Sequence, residues 1–341
     1  MGKKFYKKLL ALGISVSLSV TALAGCGTKG AEETAKTGET ENTTEVQETA
    51  DTEKKTDTEP VTEQMTFPLP DGPEESEIYV EPVEGISDDF IRGMDASAVL
   101  SVEKSGATYY NCDGEEQDVF MTLAQSGVNY IRLRVWNDPY DVDGNGYGGG
   151  NNDVPTAITL GKRATQYGMK VCVDFHYSDF WADPKRQHAP KAWEGLSAEE
   201  KCTALYNFTK DSLTQMLDAG IDVGMVQVGN EINNGMAGEE DVSAVMNLIR
   251  AGSRAVREVA ENYQKDIQVA VHYTNIEDNE EVDTMAANLA DAGVDYDLFG
   301  LSYYPFWDGT NENMQNVARN IEEKYGKKVY IAETSYCYTS E

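Results

Sequence analysis

Two apolar runs in the sequence end in glutamate. Val226-Gln227-Val228-Gly229 passes into Asn230-Glu231, and Tyr330-Ile331-Ala332 passes into Glu333. One glutamate behind a strand is most often a solvated loop charge or a helix N-terminal charge. A pair at matching strand ends can do more. Held about 5–5.5 Å apart across a glycosidic bond, one carboxyl protonates the leaving oxygen while the other attacks the anomeric carbon. Asn230, directly before the first glutamate, brings an amide that can hydrogen-bond the sugar 2-hydroxyl, a contact that strengthens in the transition state.

The neighbours predict which carboxyl plays which part. Arg132 and Arg134 alternate along one apolar run, so both face the same side of a strand. In a sheet covered on both faces, that side is an interior, and buried arginine needs an anion. Glu333 would supply it, stay ionised and act as nucleophile. Glu231, less compensated, would stay protonated as the acid. Further polar residues close other apolar runs: Asp95, Asp174 with His176, His272, and Tyr303. Trp136, Phe180, Trp181, Trp193, Tyr303, Tyr304, Phe306 and Trp307 follow run ends as well. Each alone reads equally as a loop anchor in the core. As a group they suit stacking on the apolar faces of sugar rings.

Elements that could bring these residues together are legible along the chain. Strands are predicted over 90–95, 129–135, 169–175, 223–229, 267–273, 296–302 and 328–332. Helices are predicted over 117–126, 156–167, 197–219, 241–263, 281–292 and 313–325, the third opened by a Ser197/Glu200 capping box. Strict alternation of strand and helix implies a parallel sheet with helical crossovers. Functional residues at the carboxyl ends of many strands favour a (β/α)8 barrel over a doubly wound sheet, which would bring a Gly-rich first turn. About seven of eight βα units fall within the sequence. A fragment fits this count better than an open barrel, which would leave two parallel edges unpaired.

The N-terminus reads as export machinery. Lys3, Lys4, Lys7 and Lys8 precede an apolar stretch from Leu9 to Ala22, and Leu23-Ala24-Gly25-Cys26 closes it. The expectation is a bacterial lipoprotein signal over 1–26, with Cys26 lipidated and the protein held on the outer face of the membrane without crossing it. Residues 27–85, rich in Thr and Glu, cannot bury enough apolar surface to order themselves and are expected to form a spacer. Residues 86–341 are expected to form a catalytic barrel, incomplete at its C-terminus. A formal charge of −31 argues against nucleic acid and anionic membrane surfaces as partners and leaves an uncharged substrate open. Cys112, Cys172, Cys202 and Cys337 show no metal-ligand spacing, and no disulfide pairing can be read from them. Asp141-Val142-Asp143-Gly144-Asn145-Gly146 has the look of an opening calcium loop, but Asn152 stands where the bidentate glutamate belongs, so no metal is assigned there.

On these grounds alone the reading stops at a retaining glycosidase. A resemblance takes it further. Gly93-Met94-Asp95-Ala96-Ser97, the run Ile131 to Pro139, the run Asp174 to Pro184, Gly229 to Ile232, Ser302 to Trp307, and Ala332 to Tyr336 resemble, in order, the motifs of the family 53 glycoside hydrolases, the endo-β-1,4-galactanases. The resemblance covers roughly residues 90 to 341. It implies a retaining endo-hydrolase of β-1,4-galactan side chains of pectin, with Glu231 as acid/base and Glu333 as nucleophile. Asp95, Arg132, Arg134, Trp136, Asp174, His176, Trp181, Asn230, His272, Tyr303 and Trp307 are the expected substrate contacts. No cofactor is expected, although bacterial members often carry a calcium loop soon after the second glutamate, beyond Glu341. The partner is a galactan or arabinogalactan polysaccharide and the protein is expected to act as a monomer. A retaining enzyme for mannan or xylan and a non-catalytic glycan-binding lipoprotein are the alternatives.

Overall fold

A computed structural model describes residues 60–68 and 83–336 of the chain. Cys26, the leader and most of the spacer lie outside the described residues, as does Cys337.

Seven parallel strands form one curled sheet in sequence order: β1 (Gly93–Asp95), β2 (Tyr130–Val135), β3 (Lys170–Phe175), β4 (Val223–Val228), β5 (Gln268–Tyr273), β6 (Leu298–Tyr303) and β7 (Lys328–Thr334). Between them run α1 (Val99–Lys104), α2 (Val119–Gln125), α3 (Val154–Gln166), α4 (Ala198–Asp218), α5 (Val242–Tyr263), α6 (Asn279–Asp291) and α7 (Asn311–Tyr325). This is a (β/α)8-type barrel, as the alternation of elements predicted.

Side-chain caps set where helices begin. Asp118 accepts from Phe120 N–H at 2.8 Å, Asp153 from Thr156 N–H at 2.8 Å, and Asp278 from Glu281 N–H at 3.0 Å. Each satisfies an amide with no partner inside its helix, a contribution of about 1 kcal/mol. The Ser197/Glu200 box forms with both reciprocal bonds. Two elements differ from the sequence expectation. Strand β1 begins at Gly93 rather than Phe90, because Phe90 N–H turns back onto Ser87. Helix α1 was not predicted: it has six residues and one buried side chain, Val99, too little for a periodic apolar pattern.

Helices and sheet enclose one apolar cluster that includes Phe120, Leu160, Leu205, Leu213, Val256, Leu289 and Ile321. The inside of the barrel is built differently, in two tiers. Alternation along the strands points Cys172, Met225, Ala270 and Leu298 inward near the strand beginnings, where they form a small apolar floor. Two positions later the inward residues are Asp174, Gln227, His272 and Gly300, and Arg132, paired with Cys172 on the sheet, reaches up to join them. Gly300 is required there. A Cβ on it would stand 2.7 Å from the Tyr330 ring and 2.9 Å from the Val271 carbonyl oxygen. Tyr330 fills that space and its hydroxyl donates to Gln227 Oε1 at 3.1 Å.

Residues 60–68, within the expected spacer, are packed rather than free. Val61 N–H donates to Ala219 O at 3.2 Å and Met65 N–H to Gln166 O at 2.8 Å, at the C-terminal ends of α4 and α3. The approach depends on glycine at 168 and 220, where a Cβ would come within 2.6 Å of Met65 O and 2.7 Å of Val61 N. The contact lies on the face of the barrel opposite the carboxyl ends of the strands.

Candidate active site

Polar residues of the upper tier converge on Arg132. Its guanidinium lies 2.9 Å from Asp174, 2.9 Å from Glu333 and 3.4 Å from Asp95. It also donates to Asn230 Oδ1 at 2.8 Å and to Gln227 Oε1 at 3.2 Å. Burial works against this cation, but Asp174, Glu333 and Asp95 outweigh it and hold it charged. Asp174 is fully buried. Burial would raise its carboxyl; the attraction of Arg132 and His176 overcomes that and places it below the usual range.

The two glutamates sit in opposite fields. Burial pushes the Glu333 carboxyl up, yet Arg132 pulls it below the ordinary value, helped by the Tyr304 hydroxyl, which donates to Oε2 at 2.9 Å. Glu231 goes the other way. Burial, then the charges of Glu333 and Asp183, push it up to about 7 against the opposing effects of Ser302 and Arg132. The backbone of Glu231 is left-handed, at φ 45°, an uncommon conformation for this residue type and one that marks a position held by its surroundings. Gln187 fixes it there, donating to the carbonyl oxygens of Asn230 at 2.9 Å and Glu231 at 3.2 Å.

Several of the residues expected at the substrate are buried against protein partners. Asp174, His176 and His272 are all buried. His176 braces Asp174 at 3.0 Å and accepts from Ala182 N–H at 2.9 Å. Asn230 uses its amide on the Ala182 carbonyl at 2.9 Å. Trp136 is fully buried beneath Phe180 and Trp181, and Trp193 is core against Tyr177 and Phe208. Tyr303 is a correction. It points outward to the helices, with its hydroxyl on Asn311 at 2.7 Å, because the inward place on β6 belongs to Ser302. Tyr304, the next residue, reaches Glu333.

Residues left open to solvent at this end are Asp95, Trp307 and Phe306, and Trp181 is half-buried. Arg134 lies over the Trp181 ring, 4.1 Å from its centroid, and 3.6 Å from Asp95. Phe306 stacks on Tyr336 at 5.0 Å. Gln227, Ser302 and Tyr330 belong to the site and were not singled out from sequence. Their trace was a polar residue at an inward position of an otherwise apolar strand. Among the described residues, no three His, Cys, Asp or Glu side chains converge as a metal site would require.

A parallel barrel that gathers two carboxyl groups at its strand ends, one held ionised and one raised toward neutrality, is the architecture of glycoside hydrolases. The chain belongs to glycosyl hydrolase family 53, whose model matches residues 91–341. It is 55% identical over 265 residues to the endo-beta-1,4-galactanase of Bacillus subtilis (strain 168), an alignment spanning 78% of this chain and 61% of that one. The chain thus spans less than two thirds of that relative's length. Among solved structures, the Ignisphaera aggregans family 53 catalytic domain superposes with a TM-score of 0.73 at 39% identity, covering 77% of this chain and 72% of the other. One of two fungal beta-1,4-galactanases gives a TM-score of 0.65 at 30% identity, with 72% and 74% covered.

Proposed function

We propose that this protein hydrolyses internal β-1,4-galactosidic bonds of galactan and arabinogalactan with retention of configuration. The carrying observation is the opposite tuning of the two glutamates, with Glu333 paired to Arg132 at 2.9 Å and Glu231 raised to about 7. Glu333 attacks the anomeric carbon while Glu231 protonates the departing oxygen. Glu231, now a carboxylate, then takes a proton from the water that releases the sugar from Glu333. The name of the Bacillus subtilis relative supports galactan as the substrate. Galactan side chains of pectin are the natural source of such bonds. We further propose export and anchoring through Cys26, which would hold the enzyme at the outer face of the cell membrane.

The test is release of reducing ends from linear β-1,4-galactan beside mannan and xylan, with the configuration of the new end followed by NMR. Release from galactan with a β-configured new end is expected. An α-configured new end overturns retention. A folded protein that binds galactan and cleaves none of the three overturns the enzymatic reading in favour of glycan capture.

The pH profile follows from the same two groups. Turnover needs Glu333 ionised and Glu231 protonated. The rate should therefore fall as pH rises through about 7, the Glu231 value. It should fall again in acid only below the ordinary carboxyl range, where Glu333 titrates. A kcat/KM profile on galactan checks both limbs. Tyr304→Phe removes a donor to ionised Glu333, so the Glu333 pKa rises and the acid limb moves to higher pH. A hydrogen bond to a charged group is worth about 1.5–3 kcal/mol, so the expected shift is about one to two pH units. An unmoved acid limb in this variant would show that Tyr304 does not tune the nucleophile.

A further inference from the structure

Ser302, to which the sequence assigns no role, hydrogen-bonds the Glu231 carboxyl. It is fully buried on β6 and donates to Glu231 Oε1 at 2.7 Å. On its other side it lies 3.0 Å from His272 Nε2. Among the described residues Oε2 of Glu231 takes no such partner, so it is the oxygen free to carry a proton to a substrate.

The hydrogens around His272 can be placed. Asn230 Nδ2 donates to the Ala182 carbonyl at 2.9 Å, which fixes the amide orientation and presents Oδ1 to His272 Nδ1 at 2.9 Å. Gln227 Nε2 also lies 3.1 Å from Nδ1, but its hydrogens have better acceptors in Asp174 at 2.6 Å and the Gly229 carbonyl at 3.0 Å. The Glu231 N–H approach to Nδ1, at 3.4 Å, is too long to decide the matter. Nδ1 therefore carries the hydrogen and donates to Asn230. Nε2 is left as an acceptor. Burial lowers the His272 pKa to about 4, consistent with a neutral ring. The Ser302 hydroxyl thus has one hydrogen and two acceptors within reach.

We propose that Ser302 is a positioning residue for the acid/base, its hydroxyl turning to His272 while Glu231 is an acid and to Glu231 Oε1 once it becomes a carboxylate. No covalent bond changes; the hydroxyl only rotates. Its effect is to stabilise the carboxylate that proton donation creates, at the moment it is created. Charged groups facing Glu231 from the other elements are Glu333 on β7, Asp183 after β3 and Arg132 on β2, and the Tyr304 phenol feels the same carboxylate. Glu333 and Asp183 disfavour a second negative charge, so removal of the serine donor leaves Arg132 as the remaining attraction.

This inference rests on the proposed glycosidase mechanism, and the experiment separates the two. Ser302→Ala and Ser302→Thr are compared with the parent on linear β-1,4-galactan and on an aryl β-galactoside with an activated leaving group. The alanine variant should show its alkaline limb moved upward by about one pH unit, and kcat/KM on galactan lowered about tenfold. The aryl substrate, which needs less proton donation, should be hardly affected, and threonine should restore the parent profile. Titration of the Glu231 carboxyl by 13C NMR reads the same shift without turnover. A parent that cleaves no galactan but shows the NMR shift on Ser302→Ala counts against the glycosidase reading alone. An unmoved Glu231 titration, or activity that falls evenly at all pH and on both substrates, overturns the role of Ser302.

Discussion

Glu333→Ala should abolish galactan cleavage, with kcat reduced on the order of 10⁴- to 10⁶-fold, the scale on which removal of a nucleophile acts. Neither Asp174 nor Glu231 can take over. Asp174 is buried behind Arg132, and Glu231 stands on the leaving-group side in this mechanism. The loss should be chemical rather than structural, since Arg132 keeps Asp174 and Asp95 as counterions. The variant also opens room for a small anion. Azide added with an activated aryl β-galactoside should attack from the vacated side and give an α-galactosyl azide. A Glu333→Ala protein that retains more than a hundredth of parental activity would remove Glu333 from the nucleophile's role.

Glu231→Ala should lose about 10²- to 10⁴-fold on galactan, the usual contribution of a positioned acid/base. The pattern of the loss matters more than its size. An activated aryl leaving group departs without a proton, so formation of the glycosyl-enzyme should survive and its hydrolysis should become slow. A rapid burst followed by a slow steady state is the expected trace. Azide should speed the second phase and yield a β-galactosyl azide, opposite in configuration to the product from Glu333→Ala. The alkaline limb near pH 7 should disappear, because the group that titrates there has gone. Persistence of that limb, with no burst, would reassign the acid/base to another residue.

Strand and helix order was legible because strands β2 to β7 are largely apolar runs and helices α2 to α7 carry side-chain caps at their starts. The Arg132–Glu333 pair was legible too, since alternation put the arginines on an inward face and burial demanded an anion. What alternation alone did not settle was β6 and its end. There the pairing shifts register between Leu301 and Ser302. Ser302 faces inward, Tyr303 outward, and Tyr304 leaves the strand to reach Glu333. An aromatic pair next to a proline gives no hint of which ring turns in. Nor did the sequence separate ligand contacts from supports. Asp174, His176 and His272 look like site residues by type and position, and their burial and bonds to other protein groups come only from the structure.

The two-tier interior of the barrel has a consequence for anyone who would alter this molecule. In the upper tier Arg132, Asp174, Gln227, Asn230 and His272 share partners, so replacing one strands the others in a water-poor setting. The floor of Cys172, Met225, Ala270 and Leu298 obeys only volume and shape. Cys172 is closed off there, its thiol pushed by burial to about 12, and is a poor target for alkylation or oxidation. Efforts to toughen the protein belong in that floor and in the layer under the helices, where repacking can be sampled freely while the chemistry overhead is left untouched.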